Sequence, residues 1–66
     1  MDEELQQLKK LEALTLHHKE LDQMIDALNA EKFRDDFQLF RLKREKLQVR
    51  DEINKLQDAI YPDIIA

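Results

Sequence analysis

Apolar residues return along this chain at alternating steps of three and four. In the first half the line runs Leu11, Leu14, Leu21, Ile25 and Leu28, with His18 at the one step that meets a polar residue. In the second half it runs Leu39, Leu42, Val49, Ile53 and Leu56, with Lys46 as the interruption. Such a repeat keeps its residues on one side of an α-helix and forms the a/d seam of a coiled-coil-like pairing. The pattern predicts helix 1 over about residues 3–29, a turn over about 30–35, helix 2 over about 36–60 and a short tail at 61–66.

The punctuation agrees. Asp2 reads as an N-cap, and Glu3 and Glu4 put negative charge in the first turn, where the helix dipole favours it. Asn29 is the best C-terminal residue in a chain that contains no Gly. Asp35 with Gln38 three positions later reads as a capping box opening helix 2. Tyr61 precedes Pro62, which pushes it out of helical geometry and ends the helix. In the tail, Ile64 and Ile65 are expected to pack on the far end of the fold or on a neighbouring chain.

Two architectures satisfy this pattern. Leu28 and Leu39 are eleven residues apart, so the seam also continues in phase through the middle, giving an unbroken rod with Lys32 and Asp35 at seam positions. An antiparallel hairpin keeps those charges out of the seam and gathers Phe33, Phe37 and Phe40 as an aromatic plug at its closed end. The hairpin is the preferred reading and the rod its alternative. Closing the hairpin pairs Leu28 with Leu39, Ile25 with Leu42, Leu14 with Ile53 and Leu11 with Leu56. It also brings Lys46 near Asp22, and His18 near Arg50, Asp51 and Glu52. That polar band across the middle sets the register.

Composition narrows the class. Charged residues make up 39% and hydrophobic ones 42%, with no Gly and a single Pro, so sheets and tight turns lack their usual residues and an all-α protein is expected. With 66 residues the chain is one domain whose core is small, and without Cys no disulfide can reinforce it. Association with a second copy into a helical bundle is the remaining inexpensive source of burial. Leu5, Leu8, Leu16 and Met24 lie beside the seam of helix 1 and widen its apolar stripe, which implies more than one neighbour. After the hairpin closes, Phe40, Leu47 and Tyr61 form a second apolar strip on helix 2, suited to another copy or to a partner helix.

The net charge of −4 is unevenly spread: residues 1–31 carry eight acids against three bases, and the remainder carries eight bases against seven acids. Arg41, Lys43, Arg44, Lys46 and Arg50 form a basic stretch that could contact phosphates, which makes a nucleic-acid-associated helper the alternative function. Against it stand the acidic whole and the lack of aromatics between the bases. A membrane-surface role has a weaker case, since the apolar residues opposite the bases are needed in the seam. No apolar run reaches the roughly 20 residues of a span, and M-D-E-E-L lacks the basic and apolar regions of a secretory signal, so a cytoplasmic protein is expected.

His17, His18 and Asp22 invite a metal reading, but His17 points about 100° away from His18 and zinc needs three or four converging ligands. A seam-filling His18 bonded to an acid on helix 2 is preferred, and no metal or cofactor is expected. Catalysis is not expected either, because a two-helix hairpin encloses no substrate pocket and the chain has no nucleophile elbow or Gly-rich phosphate loop.

The segments H-K-E-L-D-Q-M-I-D-A-L (His18 to Leu28) and R-L-K-R-E-K-L-Q-V-R-D-E-I (Arg41 to Ile53) resemble the two characteristic blocks of the YdcH-like family, small bacterial proteins classed as a domain of unknown function. The ending P-D-I-I-A is similar to that of alphaproteobacterial members. By position the resemblance singles out His18, Leu21, Asp22 and Ile25 in the first block. In the second it singles out Leu42, Lys43, Lys46, Leu47, Asp51, Glu52 and Ile53. It implies a helical hairpin and brings no reaction, ligand or partner. The expected function is a small non-catalytic interaction module that self-associates, binds a protein partner of unspecified identity, or does both.

Overall fold

The computed structural model describes residues 2–61, so the expected packing of Ile64 and Ile65 lies outside the described residues. Two helices, α1 (Asp2–Asn29) and α2 (Asp36–Ile60), pack against each other as a hairpin, and the continuous rod is excluded. Asp2 lies inside α1 rather than capping it, and with Glu3 and Glu4 it makes the first turn acidic.

The seam residues meet as their spacing requires. Leu21 is 1% exposed, and Ile25, Leu39 and Val49 are the other buried apolar side chains among the described residues. Leu11, Leu14, Leu28, Leu42, Ile53 and Leu56 are half-buried, because a seam between only two helices leaves one side of each layer open. Burial therefore concentrates in the turn-proximal and central parts of the hairpin and thins toward its free end.

The turn is held by polar groups. Asp35, extended at φ −84° and ψ 97°, accepts hydrogen bonds on Oδ1 from the backbone N–H groups of Phe37 and Gln38, both at 3.1 Å. Two of the otherwise orphaned donors at the start of α2 are satisfied in this way. The reciprocal bond of a capping box, from the Gln38 side chain to the Asp35 N–H, is not formed among the described residues. Arg34 spans the turn: its Nε donates to Asp36 Oδ1 at 3.1 Å and its Nη1 to Asn29 Oδ1 at 3.5 Å. At the other end Tyr61 closes α2 with its N–H on the Gln57 carbonyl at 2.7 Å.

The aromatic plug is not formed. Phe33, Phe37 and Phe40 are 86%, 71% and 62% exposed. At about 100° per residue, Phe37 and Phe40 step away from the Leu39 and Leu42 side of α2, so the seam that closes the hairpin carries them outward. Phe33 has the Lys32 amine 5.8 Å from its ring centroid, a cation–π contact in full view of solvent.

Candidate interaction surfaces

The two flanks of the hairpin carry different chemistry because α2 turns its basic stretch across three directions. On one flank His18, Ile25, Lys43, Lys46, Leu47 and Arg50 line an open groove of about 400 Å³. Lys46 reaches across from α2 to form an ion pair with Asp22, and His18 Nδ1 lies 3.6 Å from the other oxygen of the same carboxylate. The hydrogen bond from Lys46, and then the positive charges of Lys46 and His18, hold the Asp22 carboxyl below its ordinary value of 3.8 against an opposing push from desolvation.

The opposite flank is held by a contact that the seam pattern does not announce. His17 Nε2 lies 3.0 Å from Glu45 Oε2, and its Nδ1 lies 3.9 Å from Glu20 Oε1. An imidazole protonated at Nε2 donates across the hairpin to Glu45 and becomes an ion-pair partner when doubly protonated. A signal for it does exist in the sequence, since His17 is three residues after Leu14 and four before Leu21 and so borders the seam. Leu21, the most buried side chain, thus sits between two polar ties on the two flanks.

The polar band is smaller than the one read from the sequence. His18, Asp22 and Lys46 come together, with Arg50 beside His18 in the groove. Asp51 and Glu52 do not join them. Each successive residue turns about 100°, so Asp51 points away from α1 and Glu52 falls on the other flank, where it borders Lys10, Leu14 and Lys55.

The basic stretch is divided in the same manner. Lys43 and Arg50 share the His18 flank, Arg41 lies on the opposite flank beside Gln38 and Glu45, and Arg44 is exposed on the outer side. Three of the five bases, Lys43, Lys46 and Arg50, therefore line one groove, and Arg41 and Arg44 lie apart from it. Phe40, Leu47 and Tyr61 are all exposed, at 62%, 60% and 53%.

No three His, Cys, Asp or Glu side chains are grouped to hold a metal among the described residues. Neither described helix is long and apolar enough to cross a membrane.

No curated protein matches the chain, and no solved structure does. Residues 11–57 match the family model described as Protein of unknown function (DUF465), the family to which the YdcH-like resemblance points. These residues are well over half of the chain and take in most of α1, the turn and most of α2, so the protein belongs to the DUF465 family.

Proposed function

We propose that this protein is a small non-catalytic helical module that works through protein contacts, associating with further copies of itself and presenting exposed apolar faces to partner helices. The observation that carries this reading is the surface left bare. A compact monomer of 8.0 kDa is expected to expose about 4,450 Å². This chain exposes 5830 Å². The excess of about 1,400 Å² exceeds the roughly 800 Å² that each partner covers in a standard protein interface. The exposed large hydrophobic side chains include Leu5, Leu8, Leu16 and Met24 on α1 and Phe37, Phe40 and Leu47 on α2.

Covering such a surface is worth about 25 cal/mol per Å² of apolar area, and two hairpins packed together would form a four-helix bundle. Sedimentation velocity over a wide concentration range tests the reading. The expected result is a species of at least twice 8.0 kDa that persists or tightens when salt is raised. A single 8.0 kDa species at every concentration refutes self-association.

A further inference from the structure

The outer side of α1 carries an open apolar groove of about 480 Å³ that borders the hairpin seam at Leu11 and otherwise faces away from it. Leu8, Leu11, Glu12, Thr15, Leu16 and Lys19 line it. Thr15 turns its hydroxyl back onto the Leu11 carbonyl at 2.8 Å, so its polar group is satisfied within the helix and its methyl is left to the groove. The charged members are Glu12 and Lys19, and among the described residues neither has an ion-pair partner. They are seven residues apart, about 10.5 Å along the axis at 1.5 Å per residue, which is too far for them to pair with each other.

We infer that this face binds the same face of a second copy, with the two α1 helices antiparallel. The inference rests on the self-association reading above and specifies its geometry. A two-fold axis between Thr15 and Leu16 sets Glu12 of each copy against Lys19 of the other, so both orphan charges are satisfied at once, and it brings the two Leu16 side chains together at the centre. The parallel arrangement sets Glu12 against Glu12 and Lys19 against Lys19, leaving like charges opposed at both positions. The charge pattern therefore selects one orientation, while the leucines supply the area. In that orientation the turns of the two hairpins lie at opposite ends of the assembly.

Charge reversal with rescue tests this directly, because Glu12 and Lys19 are exposed and their replacement leaves the seam intact. Sedimentation equilibrium should show the dissociation constant of Glu12→Lys and of Lys19→Glu each raised about tenfold, since two attractive pairs become repulsive in either variant. The double variant Glu12→Lys with Lys19→Glu should return to within about twofold of the native value, because the pairs are re-formed with their signs exchanged. A double variant as weak as the single ones overturns the antiparallel pairing while self-association stands. Unaltered single variants overturn the choice of this face. A native chain that is monomeric throughout removes the self-association reading together with this inference.

Discussion

The middle of the hairpin and its turn are held by different kinds of contact. Around Leu21 and Val49 the helices exclude water from aliphatic side chains, and polar ties on the two flanks, His17 to Glu45 and Asp22 to Lys46, frame that contact. At the turn the chain has two aromatics, Phe33 and Phe37, and buries neither. What organises it is the Asp35 carboxylate on two backbone N–H groups and the Arg34 guanidinium between Asn29 and Asp36. An apolar residue stabilises this fold through its position on the seam, whatever its size.

Substitutions at the two regions sharpen that contrast. Leu21→Ala should have the largest effect: removing a fully buried leucine costs about 2–5 kcal/mol, and in a domain this small the loss should leave the isolated chain largely unfolded at room temperature by circular dichroism. Asp35→Ala removes the cap of α2 and should cost about 1 kcal/mol, read as a lower thermal midpoint with helix content retained in the cold.

The Asp22 tie should be visible as a pH dependence. Its carboxyl is held below 3.8 in the folded state, so its contribution is complete above that value and is lost as pH falls through the depressed folded value. The thermal midpoint of the native chain should therefore drop more steeply below about pH 4 than that of Asp22→Asn, which has no such group to titrate. Parallel curves for the two would remove this tie from the account.

The smallest effect is expected where the side chains are largest. Phe33→Ser and Phe37→Ser should each change stability by no more than about 0.5 kcal/mol in chemical denaturation at low protein concentration. A loss comparable to that of Leu21→Ala would break the comparison and give the turn an apolar core after all.

Much of the fold is legible in the sequence because it depends on local periodicity. Leu21, Ile25, Leu39 and Val49 stand at seam positions and are the buried side chains among the described residues, and the residues that end α1 and open α2 are Asn29 and Asp35, the ones whose chemistry suits those places. The surfaces are less legible. The stretch Arg41 to Arg50 does not reveal the angle that each residue adds, which gathers Lys43, Lys46 and Arg50 on one flank and sends Arg41 to the other. Expecting Phe33, Phe37 and Phe40 to plug the turn weighs hydrophobicity without direction. His17 and Glu45 are 28 positions apart, and only the finished hairpin sets them 3.0 Å from one another.

Local spacing and end residues are enough to read that this protein is helical, where α1 ends, where α2 begins and ends, and which side of each helix is apolar, because those properties arise from steps of three and four and from single capping residues along the chain. The tertiary structure decided that the chain turns back on itself, since the seam runs in phase through residues 29–36 and is compatible with a rod. It also decided which side chains flank the seam and which face outward, because that depends on the rotation of one helix against the other, a quantity that no local spacing records.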